Sequence, residues 1–436
     1  MSIGRFAAIG LIFAVASVGW WVLGATVQFR TEELDDSLSA EMASLWGPKV
    51  LAQGSPYWAA ADAGGEGRAL PAAGKVTADL RHEHRYKGLL WYSTFEVDFA
   101  GEYRVGAVPG APGGAPGGGA PGAFVFPLPA GAATYHALSV AVDGNEVPVA
   151  PGDIASGRLS VPLGRDAEHT VAVRYVTGGQ DTWLYCPGEV PAASERGDGA
   201  VIPPAGRLNE LRDFSLTVTT DFAQIDYPRG TLSPKQRAAP TPAGMRAIWE
   251  YPRLITSQSI GIAMPRRPNA GPIVARMSFF APVSLLFFLT VLFAVVVLKG
   301  LRLHAMHYLF IAAGFFAFHI LLSYLADVMD LHAAFWASAA VSAFLVVTYM
   351  RLVAGVRFAL AYTGLAQLVY LVGFSYAFFW VGRTGLTITI AAVVTLFVLM
   401  QATGKVNWHE FFRRPERPRT VLPPMSPPPM QPPAGG

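Results

Sequence analysis

Six stretches of this chain are each long enough, or nearly so, to cross a lipid bilayer, and none contains an Asp, Glu, Lys or Arg. They are Phe6–Gln28, Met277–Leu298, Tyr308–Leu325, Ala333–Met350, Phe358–Val381 and Gly385–Thr403. A hydrocarbon core about 30 Å thick needs roughly 20 apolar residues in a helix. A water-soluble fold with six such runs would expose large apolar patches. The chain is 52% hydrophobic and 14% charged over 436 residues, about half the charge of an ordinary soluble domain. The six windows account for the deficit: outside them about 310 residues carry all the charged side chains, roughly 20% of their number, close to a soluble composition. Disorder over the whole chain is excluded by the same figures. A net charge of +3 is too small to suggest a nucleic-acid partner.

The first window follows Arg5 and has the look of a signal peptide. Its length, the bulky Trp20-Trp21 pair and an end (Gly24-Ala25-Thr26-Val27-Gln28) without a clear small-x-small site predict an uncleaved anchor instead. Lys and Arg in short loops mark the cytoplasmic side. With the N-terminus inside, Arg5, Lys299, Arg302, Arg351, Arg357, Lys405, Arg413, Arg414, Arg417 and Arg419 all fall inside. The opposite loops hold Asp327 and Asp330 in one case and Arg383 in the other. Both termini are therefore expected inside, and residues 29–275 outside.

That exported segment opens with a helical pattern: Thr31 as cap, acidic residues to Asp36, then Leu34, Leu38, Met42 and Leu45 at helical spacing, stopped by Gly47-Pro48. A membrane helix continuing into the domain is the plain interpretation. Strand patterns follow. Leu138, Val140 and Val142 alternate up to the turn signal Asp143-Gly144; Thr170–Val176, Phe214–Thr220 and Ile255–Ala263 alternate similarly; Tyr86–Phe99 suits one or two strands. Regular strands with Gly and Pro punctuation predict sheet packed on sheet. Ala59–Gly67 and Gly106–Gly122, rich in Ala, Gly and Pro, are expected as mobile surface insertions, and the tail from Arg413, with nine prolines, as an extended segment. The fold class expected is a multi-pass α-helical membrane protein with six transmembrane helices and a large exported, mainly β, sandwich-like domain. Its parts are an anchor (1–28), the β-rich domain (29–275), a five-helix bundle (276–404) and a Pro-rich tail (405–436).

Candidate chemistry is sparse. His82 and His84, two apart on a strand, share a face as half a metal site requires, with His136 or His169 as further donors; a solvated strand face explains the same pattern, and no metal or cofactor is expected. His319 lies within the third window, where ionisable groups mark function by default; Ser323, Tyr324 or Gln367 would satisfy a neutral imidazole. Asp327 follows the same helix. Ala334, Ser338 and Ser342 give small-xxx-small spacing for close helix packing. Cys186 stands alone, so neither an intrachain disulfide nor a cysteine cluster forms. Neither a Gly-x-Ser-x-Gly elbow, a nucleotide loop nor an HExxH helix occurs, and a non-enzyme is expected.

Arg302-Leu303-His304-x-Met306-x-Tyr308-Leu309 opens a helix running to Leu321-Leu322, followed by Asp327, then Ala334-Phe335-Trp336 and, near the end, Val406-Asn407-Trp408. This resembles the CreD family of bacterial inner-membrane proteins, as does Arg85-Tyr86-x-Gly88 before Phe95 and Phe99. The likeness covers the C-terminal half well and is looser between residues 100 and 270. Asn407 stands where an acidic residue is expected, and the Gly-Ala-Pro insertion and Pro-rich tail are additions. The resemblance implies an inner-membrane protein with a periplasmic domain, linked to envelope stress through a two-component regulon, and no catalytic residues to carry over. Expected partners are the lipid bilayer and a periplasmic protein, glycan or lipid. The alternatives are a transporter using the five-helix bundle, or an insertase of the YidC kind, which shares the plan of one helix, an exported β domain and five further helices.

Overall fold

A computed structural model describes residues 3–60, 68–106, 122–129, 131–132, 134–163, 167–188, 194–195, 201–202, 208–301, 303–380 and 382–404. The chain divides into two compact units, one from Met1–Phe29 with Ala270–Gly436 and one from Arg30–Asn269. Among the described residues, six helices are long and apolar enough to cross a membrane. The chain is a multi-pass membrane protein carrying a large sheet-rich domain.

The membrane unit takes the first part of α1 (Ile3–Trp46). Thr31 sits inside this helix and not at its start, because no break separates the anchor from the segment that follows. The short amphipathic element of the sequence pattern is the end of one 44-residue helix. After the short helix α2 (Pro151–Ser156) of the sheet domain come α3 (Ala270–Leu298), α4 (Ala305–Leu325), α5 (Leu331–Ala354), α6 (Val356–Phe379) and α7 (Thr384–Thr403). Local chemistry sets the ends. The His304 ring accepts the Met306 N–H at 3.3 Å at the head of α4, and the Asp330 carboxylate accepts the His332 and Ala333 N–H groups at 3.0 and 3.3 Å at the head of α5. Each satisfies donors that a helix start leaves unpaired.

Aromatic side chains fill the bundle, with Phe288 against Phe315 (centroids 4.6 Å) and Phe318 edge-on to Phe335 (5.4 Å). Trp20 of α1 is fully buried in the same cluster. Small residues bring α4 and α5 together: Ala334, Ser338 and Ser342 are buried, and a Cβ on Gly314 would overlap Val346. In lipid, where apolar burial drives no association between helices, such close backbone approach supplies packing contacts. Within α6, Ala359–Gly364 and Leu368–Gly373 are wound as π-helix. The Ser284 hydroxyl of α3 donates to the Tyr370 carbonyl in the second of these turns.

The sheet domain has an eight-stranded sheet. From edge to edge its strands are Ala239–Pro240, Met245–Thr256, Asn209–Thr220, Ala73–Lys87, Leu90–Val105, His169–Gln180, Tyr135–Val142 and Asn145–Val147. Its centre is one long hairpin, paired from Ala73↔Arg104 to Lys87↔Leu90. Tyr86–Phe99 therefore spans a turn between two strands. A three-stranded sheet (Val50–Gly54, Thr182–Cys186, Ile260–Ala263) and a four-stranded one (Arg68–Ala69, Tyr57–Ala60, Gly122–Pro127, Arg158–Pro162) accompany it. Their side chains pack on the inner face of the large sheet: Phe126 against Phe99 at 5.9 Å and Tyr185 on Phe214 at 5.4 Å, centroid to centroid. This is the sandwich-like packing that the strand patterns predict.

Ile255–Ala263 is not one strand. It breaks where the Thr256 hydroxyl accepts the Gln258 N–H at 2.9 Å, and its two parts belong to different sheets. At Asp143-Gly144, φ of +52° and +83° makes the tight hairpin turn that the dipeptide signals. Most of the low-complexity segments, 61–67 and 107–121, and the tail from Lys405 lie outside the described residues.

Candidate functional site

Along Ala73–Lys87 the side chains alternate between two faces. Val76, Ala78 and Leu80 are buried in the domain core, and His82 and His84 continue that face. Arg81, Glu83 and Arg85 stand on the other face, and pairing with the neighbouring strand sets Arg81 opposite Glu96 and Glu83 opposite Thr94. The last turns of α1 lie on this outer face. Leu34, Leu38, Met42 and Trp46 pack with Leu90 and Tyr92, the Lys87 ammonium pairs with Glu41, and the Arg85 guanidinium stacks 3.5 Å over the Trp46 ring. Trp46, and not the expected Leu45, completes the apolar stripe; Leu45 is 55% exposed.

Between the helix end and the sheet opens a cleft of about 420 Å³, within the roughly 300–1,000 Å³ of small-molecule sites. Its lining includes Leu45, Trp46, Arg81, Glu83, Arg85, Thr94, Glu96, Thr134, His136 and Gly178. Two backbone features shape it. Gly178 carries no side chain where the Trp46 carbonyl approaches; a Cβ there would lie 3.1 Å from that oxygen. On the far wall the register slips between Arg174↔Ser139 and Val176↔His136, a β-bulge in which Ala137 takes a positive φ of +51°. Bulges bend strands and re-aim side chains, and here the bulge sets His136 at the cleft. The charges on the floor are paired: Arg81 with Glu96 at 3.6 Å, Arg85 with Glu83, and farther along the same face Arg174 with Asp98 at 2.8 Å.

The opposite face carries the histidines. The rings of His82 and His84 meet edge to face with centroids 4.3 Å apart, so the two do share a face. The Ser93 hydroxyl donates to the Pro265 carbonyl at 2.8 Å and stands 2.9 Å from His82 Nε2. With its one proton committed, Ser93 accepts, and His82 carries its proton on Nε2. The Asp221 carboxylate accepts the His82 backbone N–H at 3.0 Å just past the end of the adjoining strand. Burial, then the neighbouring His84, lowers the pKa of His82; burial, then Arg267, lowers that of His84. Among the described residues no group of three His, Cys, Asp or Glu side chains converges as a metal site would. His136 lies at the cleft and His169 is held by Asp143 at 2.8 Å.

In the membrane unit His319 is buried, and its Nδ1 donates to the Phe315 carbonyl one turn earlier at 3.1 Å. The backbone supplies this bond, not the side chains of Ser323, Tyr324 or Gln367. The ring sits edge-on to Trp20, centroids 5.7 Å apart. Gln367 instead donates to Ser342 at 3.0 Å, and Ser342 donates to the Gly314 carbonyl at 2.7 Å. Asp327 is half-buried in the turn between α4 and α5. The three polar residues singled out by sequence thus have separate surroundings. Lys299 follows α3, Arg351 closes α5 and Arg357 opens α6; the Lys299 ammonium lies 5.2 Å over the Tyr362 ring of α6, placing these loops at one end of the bundle. Arg302, Lys405, Arg413 and Arg414 lie outside the described residues.

The family model described as inner membrane protein CreD matches residues 231–409. Over that stretch the chain is similar to the CreD family. The match takes in the last strands of the sheet domain and all five helices that follow. With its six apolar helices the chain is a multi-pass membrane protein in contact with the lipid bilayer, similar in its C-terminal part to inner membrane protein CreD. Comparison with curated proteins returns no match. The cleft lies outside the matched residues, and sequence reasoning did not find it. The alternation Arg81, Glu83, Arg85 was a readable signal of a charged strand face. Glu96, Trp46 and Gly178 come to it only through strand register and the helix end.

Proposed function

We propose that this protein belongs to the CreD family and is a non-enzymatic, membrane-anchored binding protein of the inner membrane, serving envelope homeostasis or the response to envelope stress. Its sheet domain faces the periplasm and both termini face the cytoplasm. The observation that carries the reading is the cleft. A pocket of small-molecule size is built from a helix end, a bulged strand and a side-chain-free glycine, and each carboxylate in it is committed to a guanidinium. That arrangement suits holding a ligand better than moving protons. The orientation is supported by Lys299, Arg351 and Arg357 gathered at one end of the bundle, since basic residues in short loops stay cytoplasmic.

A photoreactive residue at Thr134, an exposed cleft position, tests the reading in living cells. Reproducible crosslinked species that vanish when Glu96 is replaced support it; a crosslinking pattern identical to that of a control position on the far side of the domain refutes it. In a Cys186→Ser background, a cysteine at position 134 is expected to react with a membrane-impermeant maleimide once the outer membrane is opened. Labelling only after lysis would overturn the orientation.

A further inference from the structure

We propose that the cleft binds a neutral oligosaccharide. The inference rests on the binding-module reading and names the ligand class it left open. A sugar hydroxyl donates one hydrogen bond and accepts others, so it is best met by an acceptor and a donor side by side. The cleft presents such couples: Glu96 beside Arg81 at 3.6 Å, and Glu83 beside Arg85. Because these planar groups already neutralise one another, the floor offers no net charge to draw in an anion or a cation. Buried donors want partners, and the buried Nε of Arg85 is without one, although its guanidinium is bonded to Glu83 and stacked on Trp46.

A peptide is the less suitable guest. Extended peptides dock by adding to an unpaired strand edge, whereas the floor strands are central in the sheet, and Glu96 and Gly178 are already ladder partners. Recognition here runs through side chains, as polyhydroxylated ligands require. His136 and Thr134 on the bulged wall add groups able to donate and accept, and Trp46 adds an aromatic edge.

The test uses the full chain in lipid nanodiscs, titrated calorimetrically with maltotetraose, cellotetraose and chitotetraose at 50 and 500 mM NaCl. At least one is expected to bind, with a Kd that changes less than twofold between the two salt concentrations. Glu96→Ala and Arg81→Ala are each expected to weaken binding at least tenfold. Their side chains are 51% and 70% exposed, so both variants should melt like the wild type. Binding unaffected by both substitutions, or no binding of any of the three, overturns the saccharide assignment. The crosslink at Thr134 separates the two levels of the argument. Capture of polypeptide alone there refutes the saccharide and leaves the binding module standing, whereas the control pattern refutes both.

Discussion

Gly47 joins the end of α1 to the sheet domain, and Gly47→Ala tests whether that junction builds the cleft wall. The residue adopts a φ of +91°, which costs a residue with a Cβ about 1–2 kcal/mol. A second cost is steric: an added Cβ would overlap the Gly178 carbonyl oxygen, lie 3.0 Å from its carbon and 3.3 Å from the Gly179 Cα. All three are backbone atoms of a paired strand, so relief requires moving either the strand or the helix end, and overpacking of this kind costs about 1–3 kcal/mol. The Gly47 carbonyl also accepts from the buried side chain of Gln180, a bond that movement would stretch. The expected loss is about 2–5 kcal/mol of sheet-domain stability, measured as the urea midpoint followed by tryptophan fluorescence. Gly144→Ala is the control. Its φ is +83° with nothing within 4 Å of an added Cβ, so it carries the backbone cost alone, about 1–2 kcal/mol. Equal midpoints for the two variants would show that the Gly47–Gly178 approach carries no energy, and the account of the cleft wall would fall.

The His82–His84 pair makes the sheet domain acid-sensitive. Both pKa values are lowered in the folded state, so the neutral rings favour folding; that stability is present above the unfolded value of about 6.5 and lost as pH falls below it. A urea midpoint that drops between pH 8 and pH 5 in the wild type, and drops less in His84→Gln, is the expected result; parallel curves would contradict it. Ser342→Ala leaves the Gln367 amide without its partner and is expected to cost about 1 kcal/mol in detergent melts, while Ser342→Ala combined with Gln367→Leu recovers most of it, as a double-mutant cycle will show. His319→Leu is expected to melt within about 1 kcal/mol of the wild type, because its one bond goes to a helix carbonyl; a selective loss of the proposed envelope function with an unchanged melt would instead assign the ring a role in the bundle.

What was legible in the sequence followed the range of the physics involved. The membrane helices are legible because lipid forces every residue of a window to be uncharged, and the signal needs no knowledge of neighbours. The Asp143-Gly144 hairpin is equally local. Ile255–Ala263 misled because alternation runs through Thr256–Gln258 without showing that the chain changes sheets there. His319 lacked a visible partner because its partner is a backbone carbonyl, which any residue supplies. The cleft was illegible for a stronger reason. Arg81 and Glu96 are fifteen positions apart and meet by register, Gly178 joins them across a third strand, and Trp46 comes from a helix whose last turn looks amphipathic through Leu45.

Where charge is placed in the two units also bears on which of them recognises anything. In the membrane unit the buried polar groups are neutral and mostly bonded close by: Ser338 to Ala334, Ser342 to Gly314, Thr395 to Ala391 and to Tyr370. Ser338 and Thr395 bond one turn back within their own helices, whereas Ser342–Gly314 and Thr395–Tyr370 link neighbouring helices, and a link of that kind is worth about 0.6 kcal/mol on average. A transporter driven by ions needs groups whose charge changes or is matched within the membrane, and among the described residues His319 is the buried histidine that the helix interiors supply. In the sheet domain, by contrast, charged side chains are drawn up in donor–acceptor couples along one face and walled by an aromatic ring. Recognition energy comes from groups that exchange water for a ligand, and the paired, half-exposed couples of the cleft are placed to make that exchange. Loss of ligand binding from Glu96→Ala, with the bundle untouched, would locate recognition in the sheet domain; full retention of the proposed envelope function in the same variant would return the search to the helices.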